Sequence, residues 1–144
     1  MADSGQAAAV PDGWDPPAVG GVFELTVPAM AAFLDVVRMT TAGLAARLSL
    51  SLDDIEDLRS AVNEACAMVL ALPGPTSVGA ATLTCRFEVL PDALAVRVSA
   101  PVSETADLPV RQSFTWHVLA THATGVGGAV DDGHAWIELR KVRR

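Results

Sequence analysis

The sequence predicts an α+β fold in two layers, with helices packed on one face of a mainly antiparallel sheet. Residues 34–48 and 53–72 carry apolar side chains at helical spacing, and residues 82–98 alternate apolar and polar side chains in two short runs. A third helical segment and a final strand pattern follow. The predicted order is strand, helix, helix, strand, strand, helix, strand, strand.

The first strand and the first helix are predicted between residues 22 and 48. Residues 22–27 are β-branched or aromatic at most positions, and Pro28 ends the run because proline lacks an amide donor. From Phe33 onwards, apolar residues recur with the spacing of one helix face. The predicted stripe continues through Val37, Thr40, Leu44 and Leu48.

The second helix has a start signal, an apolar stripe and a stop signal. Ser51 is a suitable N-cap, and Asp53 and Asp54 would lie in the first turn, where the helix dipole favours carboxylates. Pro73, Gly74 and Pro75 end the helix. Its predicted buried stripe consists of Ile55, Leu58, Val62, Ala65, Val69 and Leu72.

The second half of the chain is predicted to form a hairpin, a loop, a helix and a terminal hairpin. Pro91 and Asp92 separate the two alternating runs, and residues 100–112 form a loop with two prolines. Residues 113–124 form a helix closed by Gly125, and residues 131–133 form a turn before a strand at 135–142.

Composition limits the function classes. At 144 residues the chain fits one domain at residues 22–144, preceded by a flexible arm at residues 1–21 that is rich in Ala, Pro and Gly. No run reaches the roughly 18 apolar residues of a membrane span, and the first twenty residues do not resemble a secretory signal. We therefore expect a soluble, cytoplasmic protein without a membrane partner.

Charge and cysteine spacing exclude two further classes. The net charge of −7 argues against a primary nucleic-acid role, because phosphates are bound by clustered Lys and Arg. Cys66 and Cys85 have no partner at metal-ligand spacing and are predicted to be small buried hydrophobes, so no metal site is expected. The basic residues of the C-terminus predict a solvated tail, with a weak anionic contact as the alternative. They are Arg140, Lys141, Arg143 and Arg144.

The segment Asn63-Glu64-Ala65-Cys66 resembles the N-box helix of the GHKL ATPase superfamily, in the branch of anti-sigma factors and serine kinases of the RsbW and SpoIIAB type. The resemblance extends to residues 23–29, 34–48 and 113–126, and the last segment resembles the UsfX-like, actinobacterial anti-sigma-F branch. It implies the two-layer GHKL (Bergerat) fold. In this family, Glu64 corresponds to a general base, and the residue four positions later holds Mg²⁺ as an asparagine.

The sequence departs from the family's nucleotide motifs in three places. Met68 occupies the metal position, and a thioether does not suit a cation that prefers oxygen ligands. Residues 100–104 replace the family's Asp-x-Gly-x-Gly box, and Phe114-Thr115-Trp116 replaces a Gly-x-Gly. The loop at 100–112 is also shorter than the family's lid. We expect weak or no Mg-ATP binding, and a vestigial role for Glu64.

These departures define a remodelled pocket in which no cofactor-binding residue is identified. It is expected near Met68, Ala100, Phe114 and Trp116, with the two aromatic rings filling the space of the phosphates or the core. For Glu64 itself, the loss of its partners favours an ordinary solvated carboxylate, and a vestigial base is the functional alternative. The three histidines have no metal-ligand spacing.

The resemblance also implies partner surfaces. Arg38 lies 26 residues before Glu64, the separation between the partner-binding Arg and the base in the SpoIIAB type, where that Arg contacts both the sigma factor and its antagonist. The family dimerises through the first strand and adjoining helix, which places Phe23, Leu25 and Val27 at a dimer interface. Core packing is the alternative for these three.

Three functions follow, in order of preference. The first is an anti-sigma factor that sequesters an alternative sigma factor in a stress response and is released by a STAS-type anti-anti-sigma factor, without kinase activity. The second is an active serine/threonine kinase that uses Mg-ATP to phosphorylate that antagonist. The third is a pseudo-ATPase module that binds another regulator or a small ligand.

Overall fold

The computed structural model describes residues 21–75 and 81–143, which fold as three helices on a five-stranded sheet. The predicted arm at residues 1–21 therefore lies outside the described residues except for Gly21. A single 3-10 turn at Ala31–Phe33 precedes the first helix. The elements are β1 (Val22–Pro28), α1 (Leu34–Arg47), α2 (Leu52–Leu70), β2 (Thr82–Val89), β3 (Ala93–Pro101), α3 (Phe114–His122), β4 (Gly125–Asp131) and β5 (His134–Val142).

The sheet confirms the predicted α+β class and the predicted order of elements. Its strands lie in the order β1-β2-β3-β5-β4, and every neighbouring pair is antiparallel. Alternate residues of the three central strands are fully buried beneath the helices, as the period of two predicts. The strands at the two edges, β1 and β4, each pair on one side only within the described residues.

The second helix follows its sequence signals closely. The Ser51 hydroxyl accepts a hydrogen bond from the Asp54 amide at 3.1 Å, which caps the first turn. Leu58, Val62, Ala65 and Val69 are buried as predicted. Cys66 and Met68 are also buried, so the buried face of this helix is wider than the predicted stripe.

In the first helix, the predicted stripe is shifted by one residue. Thr41 and Ala45 are fully buried, whereas Thr40 and Leu44 are only half-buried and Phe33 is exposed. The Thr41 hydroxyl donates to the Val37 carbonyl at 2.8 Å, so its burial leaves no polar group unsatisfied. Thr41 and Ala45 thus occupy the buried face where the prediction placed Thr40 and Leu44.

The terminal hairpin differs from its prediction at Gly125. The third helix ends at His122, and Gly125 begins β4 instead of closing the helix. Asp132 and Gly133 have φ angles of 51° and 75° and form the two-residue turn that joins β4 to β5. Positive φ at both positions is the geometry that matches the twist of an antiparallel hairpin, and glycine adopts it without strain.

Both cysteines are buried and free, as the sequence predicts. Their side chains interact across the boundary between α2 and β2, and the hydrogen bond with Cys85 together with burial raises the pKa of Cys66 far above its ordinary value. Both thiols thus behave as core groups. Cys66 keeps its proton at all physiological pH values.

The prediction of a solvated C-terminal tail is wrong for Lys141, which lies in β5. Its side chain is only 10% exposed, and its ammonium lies 3.6 Å from an Asp54 carboxylate oxygen and 3.5 Å from one of Asp57. It also donates to the His122 carbonyl at 3.2 Å, and the His122 ring contacts Asp57 at 3.2 Å. These four residues form a charge cluster that joins the start of α2, the end of α3 and β5.

Candidate functional site

The N-box segment lies in the middle of α2, with Asn63 and Glu64 half-buried. In the described part of the chain, no hydrogen bond or ion pair joins the Glu64 carboxylate. Asn63 is engaged, because its side-chain oxygen accepts a hydrogen bond from Arg38 at 2.5 Å. The N-box helix is thereby connected to α1 through the amide next to the candidate base.

Met68, one turn after Glu64, is part of the apolar core and is only 5% exposed. Its thioether lies where the resemblance predicted the position of a metal ligand. No group of three or more His, Cys, Asp or Glu side chains suited to a metal ion occurs within residues 21–75 and 81–143.

The two aromatic residues at the start of α3 lie in opposite environments. Trp116 is 5% exposed, and its indole nitrogen donates to the Pro109 carbonyl at 2.6 Å. Phe114 is 76% exposed, so the prediction that both rings fill space in a pocket or the core is wrong for Phe114. It occupies the first helical position, and its ring points towards solvent and the His117 ring.

The cavity beside Trp116 is not the predicted remodelled pocket, because Met68, Ala100 and Phe114 do not line it. Met68, Ala100 and Trp116 are all buried. A cavity of about 550 Å³ does adjoin Trp116, but it lies between α3 and β4 and includes neither Met68 nor Ala100 in its wall. The structure therefore places an accessible cavity on the other flank of α3 from the one facing α2.

Arg38 lies at a polar cleft of about 280 Å³ between α1 and α2. Its side chain is 31% exposed, pairs with Asp35 on its own helix, and reaches Asn63 on the other. Arg59 lines the same cleft, pairs with Glu56 at 2.6 Å, and has a buried Nε atom without a hydrogen-bond partner. Arg59 and the contact of Asn63 with Arg38 were not predicted, although the spacing of four residues places Arg59 and Asn63 on one helix face.

The three residues predicted at a dimer interface lie on one face of the edge strand β1. Val27 is buried in the core and Leu25 is half-buried, whereas Phe23 is 49% exposed. Exposure thus increases along the strand towards its start. Of these three residues, only Phe23 presents a large apolar surface to solvent.

No protein-family model matches the chain. It is similar to the serine-protein kinase RsbW of Halalkalibacterium halodurans, at 53% identity over 47 residues, covering 33% of this chain and 29% of the relative. It is also similar to the serine-protein kinase RsbW of Bacillus cereus, at 34% identity over 76 residues, covering 53% of this chain and 46% of the relative. The chain thus spans less than half the length of these curated relatives.

The fold has a counterpart among solved structures. The crystal structure of the RsbU and RsbW domains of a Mycobacterium tuberculosis protein matches 86% of this chain and 33% of that one, with a TM-score of 0.66 and 14% sequence identity. At this identity the match concerns the fold alone. Sequence and fold agree with the predicted resemblance: parts of the chain are similar in sequence to RsbW serine-protein kinases, and its fold is similar to that of the solved structure.

Proposed function

We propose that this chain is an anti-sigma factor that sequesters an alternative sigma factor and releases it to a STAS-type anti-anti-sigma factor. The similarity to RsbW proteins supports the family, and the setting of Arg38 supports the partner surface. The observation that carries the proposal is the Arg38–Asn63 hydrogen bond, because it joins the candidate partner-binding residue directly to the N-box helix.

The geometry of Arg38 suits an interface anchor. Its guanidinium is oriented by Asp35 and Asn63, yet about a third of the side chain remains exposed. An arginine held in this way loses little conformational entropy on binding and can still offer N–H groups to a partner carboxylate. The adjacent Arg59 adds a second cation to the same cleft. We therefore propose an acidic group of the sigma factor as the ligand of this cleft.

We propose that the chain lacks kinase activity. Phosphoryl transfer in this family needs a metal ligand one turn after the base, and the chain presents the buried thioether of Met68 there. At the start of α3, Trp116 fills interior space, and its indole bonds to Pro109. These side chains do not fit Mg-ATP. The alternative function is an active serine-protein kinase, which the names of the relatives and the presence of Glu64 favour.

Dimerisation through β1 belongs to the same proposal. The free edge of β1 and the exposed Phe23 offer a surface for a second copy, whereas Val27 contributes to the core of its own subunit. An edge strand with exposed apolar residues needs cover in solution. Assignment to the actinobacterial anti-sigma-F branch is likewise proposed, on the resemblance of residues 113–126.

The decisive experiment uses Arg38→Ala, with Arg47→Ala as a control on an exposed position of the same helix. The tagged chain is used to capture proteins from its own cells, and a co-purifying sigma factor and its antagonist are then titrated with each variant. Arg38→Ala should weaken both affinities about thirtyfold, because truncating an interface arginine costs about 2 kcal/mol. Arg47→Ala should leave both unchanged.

The melting temperature distinguishes loss of contact from loss of fold. Arg38 makes half-exposed polar contacts worth about 1 kcal/mol or less, so Arg38→Ala should barely alter the transition. Affinities within about twofold of the unmutated protein for both partners would reject Arg38 as the anchor.

Calorimetry with Mg-ATP separates the anti-sigma function from the kinase alternative. We expect no saturable heat at micromolar concentrations of nucleotide. A magnesium-dependent affinity of about −8 kcal/mol, which corresponds to a micromolar dissociation constant, would establish nucleotide binding and favour the kinase.

A further inference from the structure

We propose that the free edge of β4 and the neighbouring flank of α3 form a docking groove for an extended, acidic segment of a partner protein. This groove lies apart from the α1–α2 cleft, and it includes Trp116 of the segment that replaces the family's second glycine box. The inference does not depend on the proposed function.

The edge of β4 is suited to strand pairing. Asp131 and His134 flank the two-residue turn, so the hydrogen-bonded pairs of the β4–β5 ladder alternate from there along the hairpin. The amide and carbonyl groups of Val126, Gly128 and Val130 consequently point away from β5. No strand covers them in the described part of the chain. Backbone groups of this kind bind extended segments in many peptide-recognition domains.

The carbonyl oxygen of Gly128, on the outer edge of β4, already accepts a hydrogen bond from a side chain. Arg111 donates from Nη2 to the Gly128 carbonyl at 3.1 Å, while its guanidinium lies 4.2 Å from the centroid of the Trp116 ring. A guanidinium has five N–H donors, so this contact leaves others available. An incoming strand can replace Arg111 at the carbonyl with its own N–H, and a carboxylate on that strand can then accept the released arginine.

The cavity beside this edge can take a side chain. It measures about 550 Å³ and has an apolar wall formed by Trp116, Ala120, Ala123 and Val126. Arg111 and His117 also line it, and no acidic residue does within residues 21–75 and 81–143. In a chain with a net charge of −7, a local basic surface selects an acidic ligand against the general repulsion.

Exposed apolar residues flank the basic centre. Val110 is 71% exposed and Phe114 is 76% exposed, and they lie within three residues of Arg111 in the sequence. The Phe114 ring centroid is 6.5 Å from that of His117, which lines the cavity. Large apolar residues around an arginine are typical of the parts of an interface that contribute most to affinity. The exposure of Phe114, which sequence analysis did not predict, is explained if a partner covers it.

The test is to pan a phage-displayed library of random nine-residue peptides against the full chain. Enriched peptides should alternate β-branched or aromatic residues with Asp or Glu. Arg111→Glu should weaken the binding of a synthesised enriched peptide at least about tenfold, because it converts attraction into repulsion. The control, Arg86→Glu on an exposed position of β2, should change it by less than about twofold.

A second variant tests the backbone contact. Val130→Pro removes an outward-pointing N–H and leaves the β4–β5 ladder intact, because proline is tolerated on the free side of an edge strand. It should abolish peptide binding. In the unmutated protein, the bound peptide should slow hydrogen exchange of the Val126, Gly128 and Val130 amides in NMR spectra. The exchange measurement stands by itself if Val130→Pro does not fold.

Several outcomes would overturn the proposal. They are a library without enrichment, peptides that bind Arg111→Glu as well as the unmutated protein, and protection that appears at β1 instead of β4. Self-association in sedimentation equilibrium that Val130→Pro removes would show that a second copy of the chain occupies the edge. Enriched peptides that reproduce residues 1–20 would assign the groove to the chain's own N-terminal segment.

Discussion

Replacing Gly128 with alanine places a methyl group where the structure has no room for one. A Cβ atom at this position lies 2.8 Å from the Trp136 carbonyl oxygen, 2.9 Å from the Trp116 ring and 3.3 Å from an Ile137 methylene carbon. The first neighbour is backbone of β5, which also pairs with β3, so it cannot move alone. The Trp116 ring is held by its hydrogen bond to Pro109.

The expected cost follows from these fixed neighbours. Overpacking a core position costs about 1 to 3 kcal/mol, and two anchored neighbours place Gly128→Ala near the upper end, at about 2 to 3 kcal/mol. For a domain of this size, that lowers the melting temperature by roughly 6 to 10 °C. Thermal and urea unfolding of the purified variant, followed by circular dichroism, measure both quantities.

Gly127→Ala is the matched control, one residue earlier in the same strand. Nothing lies within 4 Å of a Cβ atom at Gly127, whose side faces outward. Alanine should therefore leave stability unchanged or raise it by up to about 1 kcal/mol, because it restricts the unfolded chain. Equal stabilities of the two variants, or a loss below about 1 kcal/mol for Gly128→Ala, would refute the close packing of β4 against β5 and Trp116.

Three further predictions concern the core and the charge cluster. Met68→Asn should not restore phosphate transfer from labelled ATP to an anti-anti-sigma factor, and robust transfer would contradict this expectation. The same substitution should lower the free energy of unfolding by about 2 to 4 kcal/mol, because an amide replaces a packed thioether. Lys141→Met should lower the free energy of unfolding by about 3 to 5 kcal/mol, because Asp54 loses a cation in a buried setting. The control, Arg140→Met on an exposed position of the same strand, should change it by less than about 0.5 kcal/mol in urea unfolding. The pKa of Cys66 is raised in the folded protein, so the unfolded chain releases this thiol proton first as the pH rises. Above about pH 8.5 the free energy of unfolding should therefore fall by up to about 1.4 kcal/mol per pH unit relative to that of Cys66→Ala. An equal pH slope in both proteins would show that Cys66 does not contribute.

The candidate site was predictable only in part. The N-box resemblance predicted Glu64 and Met68, which share a helix face at a spacing of four residues, and it predicted Arg38 from its separation of 26 residues from Glu64. It did not identify the Asn63 contact of Arg38, since that bond depends on how two helices pack. Phe114 and Trp116 are two residues apart on one helix, and sequence could not decide which ring enters the core.

By itself, the sequence determined the class of fold, the order of its eight main elements and the faces of α2 and the central hairpin. These depend on local periodicity, on the cap at Ser51 and on the prolines that end elements, all of which act over a few residues. Only the tertiary structure decided the strand order, the burial of Lys141 and the cavity between α3 and β4. Lys141 and Asp57 lie 84 residues apart, and no local pattern records that their charges meet. Such pairings arise when whole elements pack, because the free energy of a buried charge depends on its neighbours in space and not on its neighbours in sequence.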